Sequence, residues 1–276
     1  MIIVYFIVGG SEVLHMQVGF SLRTVLTQLS DDDIIYVVTQ TPLLYANLPK
    51  VVPILIDEEK IKEWRGTHDF FWRIKIAILR QIAKDNPRKD IMYLDGDTFL
   101  YGNFQDVKNA LHDGYGLMHK DEGCPAYMKQ KSLMMWNTVA DKTYGKITIG
   151  TQHHMWNAGV VAMPGQLSEE ITELALEICD GMLNDGAEPV VVEQYALSIA
   201  LNECCRHMME ARKWIGHYWH YKYHWSKYVA GFFVKSYRMG YSLDKELEII
   251  KNTNLKYVHY GILAKRTLAK MIGRIH

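Results

Sequence analysis

This sequence predicts an α/β fold: a mostly parallel sheet with helices on both faces. Three observations predict it. Short apolar runs alternate with helix-length amphipathic segments through the first half of the chain. The runs are apolar throughout, as strands buried on both faces are. Turn-forming residues punctuate them at Gly9-Gly10, Asp31-Asp32-Asp33 and Asn86-Pro87.

Each element follows from its local pattern. Ile2–Val8 is a short apolar run that ends at Gly9-Gly10 and reads as a buried strand. Val13–Leu29 has helical spacing, with Val18, Leu22, Val25, Leu26 and Leu29 on one side. Ile34–Thr39 and Val51–Ile56 read as the second and third strands. His68–Lys84 predicts a helix, because Phe71, Ile74, Ala77, Ile78 and Ile82 make one apolar stripe. Asp90–Leu94 is the fourth strand. Further on, Trp156–Met163 predicts a strand, and Ser168–Leu183 and Val190–Cys205 predict helices. Arg212–Tyr241 is too aromatic to assign, Tyr257–Tyr260 reads as a short strand, and Ala264–Ile275 as a terminal amphipathic helix. With no internal repeat, low-complexity tract or Gly/Ser/Pro-rich linker, residues 1–276 are expected to form one domain.

Composition narrows the function classes. The 276 residues are 49% apolar and 22% charged, which is ordinary for a folded chain and excludes disordered and fibrous classes. Lys+Arg and Asp+Glu are 31 each, so no overall electrostatic grip on nucleic acid is expected. Cys124, Cys179, Cys204 and Cys205 form no CxxC pair, so a reduced, cytoplasmic chain without disulfides or a cysteine zinc site is expected. The opening MIIVYFIVGG lacks a basic n-region, and no stretch reaches the ~18 apolar residues of a membrane span.

Ligands of parallel sheets gather at the carboxyl ends of the strands. Two segments lie there: Gly9-Gly10-Ser11 after the first strand and Asp95-Gly96-Asp97 after the fourth. Two carboxylates leaving a buried strand, two residues apart, suit Mg²⁺ or Mn²⁺ shared with substrate phosphates. The glycine between them is expected to let the backbone approach a ligand closely. The plain alternative is a solvated Asp-Gly turn. A phosphatase of the haloacid dehalogenase class also places DxD after an apolar strand, but Phe99 stands where that class wants Thr or Val, and its motif sits on the first strand.

Taken together, Phe70-Phe71-Trp72-Arg73, Asp95-Gly96-Asp97, Trp156-Asn157-Ala158-Gly159-Val160, Glu193-Gln194 and His259-Tyr260-Gly261 with Lys265 carry a family likeness. In that order they resemble nucleotide-sugar glycosyltransferases of the GT-A, Rossmann-like fold. The resemblance is greatest to retaining family 8, the group of lipopolysaccharide galactosyl- and glucosyltransferases and glycogenin. It departs from the family in the Gly nearer to the His, in Arg266-Thr267 where Pro-Trp is usual, and in a first strand without acidic residues at its end.

The resemblance implies a metal-dependent transfer of a hexose, with retention, from a nucleotide-sugar donor, UDP-linked, to a saccharide or glycolipid acceptor. It implies Mn²⁺, or Mg²⁺, held by Asp95, Asp97 and His259. Donor contacts would come from Gly9, Gly10, Ser11, Arg73, Asp95, Gly96, Asp97, Asn157, Ala158, Gly261 and Lys265, with Lys265 on the leaving diphosphate. Glu193 and Gln194 would lie beneath the anomeric carbon as the catalytic pair. Against each role stands a plainer one: a surface charge for Arg73, turn-capping for Asn157, helix capping for Glu193-Gln194, and a structural histidine for His259.

Trp214–Tyr228 interleaves aromatics with His217, His220 and His224. The spacing is ligand-like, but no carboxylate lies nearby, and core packing is the plainer reading. Trp219 and Tyr223 from this stretch, with His153 and His154, are candidate acceptor contacts, since sugar rings stack on aromatic faces. Residues 211–243 carry six Lys/Arg and no acid, and the last 21 residues carry five and no acid. Residues 211–276 therefore predict an aromatic, basic region facing the acceptor, with peripheral contact on the cytoplasmic face of a membrane. Two other readings remain open. A sugar-nucleotide pyrophosphorylase has a similar sheet but usually a basic loop after the first strand, which Gly9-Gly10-Ser11 lacks. A carbohydrate-binding relative without catalysis would not need Asp95 and Asp97.

Overall fold

A computed structural model describes residues 1–271, with side chains described as far as Ala264. In chain order the strands and helices are β1 (Ile2–Ile7), α1 (Glu12–Leu26), β2 (Ile34–Thr39), β3 (Val51–Leu55), α2 (Glu58–Arg65), α3 (Arg73–Asp85), β4 (Ile91–Leu94), β5 (Thr98–Leu100), α4 (Phe104–His112), β6 (Tyr115–Met118), β7 (Asp121–Gly123) and α5 (Lys131–Val139). There follow β8 (Thr143–Tyr144), β9 (Ile147–Thr148), β10 (Met155–Trp156), β11 (Val160–Met163), α6 (Ser168–Asn184), α7 (Val192–Cys204), β12 (His207–Glu210), β13 (Ile215–His217), α8 (Lys222–Met239), α9 (Leu243–Lys251) and α10 (Leu255–Met271).

Seven strands form the central sheet in the order β12-β6-β11-β4-β1-β2-β3. β1 pairs in parallel with β2 and β4, β2 with β3, and β6 with β12. β11 alone runs against its neighbours β4 and β6. The expected α/β fold, a mostly parallel sheet flanked by helices, is what forms. Alternation along β1 shows why both faces are covered. Ile2 and Val4 enter one core with α3, α6 and α7, while Ile3, Tyr5 and Ile7 enter the other with α1 and α4.

A third cluster joins the C-terminal helices to α1. Phe20 and Phe99 pack with Tyr218, Trp225, Val229, Ile250 and Leu255. Phe99 stacks on Trp225 at 4.4 Å and Trp225 on Tyr218 at 4.9 Å between ring centroids. Core packing thus accounts for Tyr218 and Trp225 in the aromatic stretch.

Four expectations are corrected. Trp156–Met163 is not one strand: β10 and β11 are separated by Asn157-Ala158-Gly159, whose backbone is turned to the pocket described below. Tyr257–Tyr260 is not a strand but part of α10, because Leu255, Val258 and Ile262 recur at helical spacing against the aromatic cluster and Asn254 Oδ1 accepts the Tyr257 N–H. The helix expected from His68 begins at Arg73, after a turn in which Asp69 holds a φ of 49°. The expected helix Ala264–Ile275 starts earlier, and residues 272–276 lie outside those described. No described helix is long and apolar enough to cross a membrane.

Candidate active site

Asp95-Gly96-Asp97 follows β4 at the carboxyl edge of the sheet. The turn is braced from behind. Asp95 N donates to Gly159 O, and Thr98 N and Thr98 Oγ1 both return to Asp95 O. Gly96 serves packing more than ligand approach: a Cβ there would lie 2.7 Å from Val18 Cγ2, so its hydrogen lets α1 come close. The short strand β5 then pairs antiparallel with β13, setting His217 opposite Thr98 and so beside Asp97.

Asp95, Asp97 and His217 each present one ligand atom, and the three atoms lie within 4.8 Å of one another. His217 Nε2 is 3.3 Å from Asp97 Oδ1, and neither Nε2 nor Asp97 Oδ2 makes an aligned hydrogen bond. The histidine's tautomer follows from its other side. Asn157 Oδ1 accepts the Gly159 N–H at 3.2 Å and also faces His217 Nδ1 at 3.0 Å, so Nδ1 must donate. In the neutral ring that leaves the Nε2 lone pair aimed at the carboxylates. Two carboxylates and an imidazole whose buried Nε2 has no aligned partner fit a divalent cation such as Mn²⁺ or Mg²⁺.

This corrects the third ligand. His259 sits on α10, its Nδ1 accepting the Trp225 indole N–H at 3.1 Å and its ring against Phe99 and Tyr221. It supports the aromatic cluster, and burial pushes its pKa down. Lys222, five residues after His217, reaches Asp97 Oδ2 at 3.0 Å, with its ammonium 5.1 Å from the Trp219 ring centroid. His217 and Lys222 thus stand beside Asp97, where the resemblance had implied His259 and Lys265. The Lys265 side chain lies outside the described residues, and Gly261 lies within α10. Burial works against Asp97 ionising, but the Lys222 ammonium, and His217 when both its ring nitrogens carry protons, hold its carboxyl below the usual range.

Next to this triad is a pocket of about 310 Å³. Lys75, Glu193, Asn157, Ala158, Glu122 and Gln194 line it, with Trp72 and Trp219 also in its wall. Lys75, buried on α3, stands 2.8 Å from Glu193 Oε1 and 3.7 Å from Asp95 Oδ1 and donates to Ala158 O at 3.2 Å. The Glu193 contact is an ion pair rather than an aligned hydrogen bond. Burial pushes Glu193 up against the pull of Lys75, while Asp95 and Glu193 outweigh burial and keep Lys75 charged.

Arg73, expected at the donor, is elsewhere. Its Nε and Nη2 meet Asp180 of α6 at 2.6 and 2.8 Å, and its Nη1 donates to Trp64 O. Two residues apart on a helix, Arg73 and Lys75 point in nearly opposite directions, and it is Lys75 that faces the pocket.

The amides are oriented by Glu122, a residue the motifs did not single out. Gln194 Oε1 accepts the Ala158 N–H, and Gln194 Nε2 donates to Glu122 Oε2 at 3.0 Å. Asn157 Nδ2 donates to Glu122 Oε1 at 3.3 Å. His119, whose ring meets His217 edge-on at 5.1 Å, is kept neutral with a pKa pushed down to about 3 by burial and by His217 and Arg212.

Other expected residues fall outside the pocket lining. Gly9, at a φ of 91°, donates its N–H to Gln40 and accepts from His15 Nε2, and Ser11 Oγ caps α1. Gly10 lies between them and also does not line the pocket. His153 is buried, its Nδ1 accepting the Gly150 N–H and its Nε2 donating to Glu203 at 3.0 Å, so it cannot meet an acceptor. His154 pairs with Asp121 at 2.9 Å. Trp219 is exposed at the pocket wall, whereas Tyr223 is exposed away from it under the Lys227 ammonium.

No protein-family model and no curated protein matches this sequence. Solved structures similar to it include the galactosyltransferase LgtC in complex with donor and acceptor sugar analogues. That likeness has 14% identity over 76% of this chain and 73% of that one, at a TM-score of 0.49. An active-site variant of LgtC is similar at 12% identity over 76% and 72%, with a TM-score of 0.48. Mouse xyloside xylosyltransferase 1, apo form, is similar at 11% identity over 75% and 83%, with a TM-score of 0.45.

Proposed function

We propose that this protein is a GT-A glycosyltransferase that moves a hexose from a UDP-linked donor to a hydroxyl of a saccharide or glycolipid acceptor, with retention and with Mn²⁺ or Mg²⁺. The observation that carries the reading is the convergence of Asp95, Asp97 and His217 within 4.8 Å, at the carboxyl edge of the sheet and beside the 310 Å³ pocket. The family resemblance of the motifs supports it.

The cation supplies charge neutralisation for a leaving diphosphate. Asp95, Asp97 and His217 Nε2 would hold it. Lys222, already 3.0 Å from Asp97, adds a second positive charge to the departing oxygens, the part the sequence had given to Lys265. Asn157 and Gln194 present amides of fixed orientation to sugar hydroxyls. Glu193, fixed by Lys75, puts carboxylate charge beneath the anomeric carbon, where oxocarbenium character develops. Trp219 offers a ring face for the acceptor. The described part of the C-terminal region from Ala211 onward would form the acceptor side, and the acid-free basic stretch 211–243 supports a cytoplasmic enzyme working against the inner membrane face, in lipopolysaccharide or related polysaccharide synthesis.

The test is hydrolysis and transfer assayed over UDP-, GDP-, CMP- and ADP-sugars with Mn²⁺. Release of UDP from a UDP-hexose is expected, abolished by chelator and by Asp97→Ala with the fold intact by circular dichroism. Full activity in either case would sink the reading. Product NMR checks stereochemistry: a β-linked product from an α-linked donor removes the retaining mechanism.

A further inference from the structure

A second groove lies along α1, away from the Asp95–Asp97 site. Met16, Gly19 and Arg23 of α1 form its floor, Leu44, Tyr45 and Leu48 one wall, and Phe233 of α8 the other, enclosing about 240 Å³. Its rims are apolar and uncovered. In the turn Pro42–Leu44, Leu43 is 86% and Leu44 62% exposed. Across the groove, Tyr237 stands one helical turn beyond Phe233 and is 89% exposed, with Val234 also exposed next to it. Large apolar side chains at such exposure on two neighbouring elements mark a contact surface rather than scattered surface residues.

Charge selects the contact. Lys227, Lys235 and Arg238 are exposed on the same helix, within a stretch from Ala211 to Leu243 that has no acidic residue. Beneath them, Glu246 is neutralised by Arg23 at 2.6 Å. Exposed leucines and an exposed tyrosine, with cations on the solvent face of the same helix as the tyrosine, fit a surface that is negative outside and apolar below. The groove also adjoins the carboxyl edge of the sheet: His15, in its lining, bonds to Gly9 O in the turn after β1.

We propose that this groove is a docking surface for an anionic lipid bilayer, with Leu43, Leu44 and Tyr237 entering the headgroup region and Lys227, Lys235 and Arg238 binding lipid phosphates. It gives the peripheral placement proposed above a defined face, on the described helices rather than on the chain terminus. Docked in this way, the carboxyl edge of the sheet lies close to the lipid, where a lipid-linked acceptor would present its sugar.

The experiment is co-sedimentation of the full chain with phosphatidylcholine vesicles, with and without phosphatidylglycerol. Binding is expected with phosphatidylglycerol only, and should weaken as salt shortens the Debye length below about 8 Å. The double variant Leu43→Ser/Leu44→Ser and the triple variant Lys227→Ser/Lys235→Ser/Arg238→Ser should each bind about tenfold or more weakly. Both change exposed residues, so thermal melting should match the parent. Donor hydrolysis in solution should be unchanged in both, so loss of docking is distinguishable from failure of the catalytic reading. Equal binding to both vesicle types, no vesicle binding, or leucine variants that bind like the parent would each overturn the proposal. A concentration-dependent dimer abolished by Leu44→Ser, with no vesicle binding, would instead assign the groove to a second copy of this chain.

Discussion

Gly159 decides where His217 can stand. A Cβ at Gly159 would fall 2.3 Å from His217 Cε1, so any side chain there pushes the imidazole out of line with Asp97. Gly159→Ala should lower Mn²⁺ affinity by about 10–100-fold while the protein stays folded, as isothermal titration would report; unchanged affinity would remove His217 from the ligand set. Lys75 makes a second, contrasting case. Lys75→Met leaves the Glu193 carboxylate buried without a partner and should cost about 3–5 kcal/mol in urea unfolding. Adding Glu193→Gln should recover much of that loss, and a simple sum of the two losses would argue against the pairing. Arg73→Ala, which breaks a partly exposed pair, should cost about 1 kcal/mol or less. The sequence held the means to separate these two side chains. Lys75 is three and four residues from the buried Ile78 and Leu79, whereas Arg73 shares its helix face with Arg80 and Lys84. The family likeness drew attention to the arginine, but helical phase already pointed to the lysine. His217 was less legible, because nothing local distinguishes it from His259. Both follow short apolar segments, and only the pairing of β5 with β13 places one of them beside Asp97.

Two of the C-terminal helices, α8 and α9, are held to α1 by a small polar tie. Arg23 Nε meets Glu246 Oε2 at 2.6 Å and Glu246 Oε1 accepts from Ser236 Oγ at 2.5 Å, joining α1, α8 and α9. Glu246→Gln should cost about 2 kcal/mol of stability, since it leaves Arg23 partly buried without its anion; a change below about 0.5 kcal/mol in urea unfolding would show that aromatic packing alone holds these helices. A second tie joins the turn before β2 to α4. Burial opposes ionisation of Asp33, but hydrogen bonds from Lys108 at 2.5 Å and from Ser30 hold its carboxyl below the usual range. A depressed carboxylate stabilises the fold above its unfolded pKa, and that contribution is lost as pH falls through the folded value. The melting temperature should therefore fall from about pH 5 downward through the carboxylate range near 3.9, and Asp33→Asn should flatten that fall. Elements with one clear period, β1 through β4 and α6, were legible because each carries its own pattern. β5, β13 and α8 were not: three-residue strands have no period to read, and α8 is aromatic on its buried and its exposed sides alike.

At the scale of the whole molecule, the groups of the proposed site come from β4, α3, α7, β13 and the turns after them, so ligand binding there would be coupled to folding. Mn²⁺ with UDP should raise the melting temperature, with about 2.7 kcal/mol of added stability at a free concentration a hundred times Kd. Asp97→Ala should remove the shift due to metal; a shift that survives would place the cation elsewhere. The pairing of His217 with Thr98 has one more consequence, which concerns time. It closes a loop of more than a hundred residues, and contacts between such distant parts of a chain form late because the ordering of the loop precedes any gain from them. The carboxylates are made with the first hundred residues, but their nitrogen partner arrives after four more helices and seven more strands have been made. On the proposed ligand set, a chain still in synthesis would carry an incomplete trap for divalent ions, and full affinity would appear only when β13 has docked, so metal uptake would report that the sheet edge around Asp97 has closed.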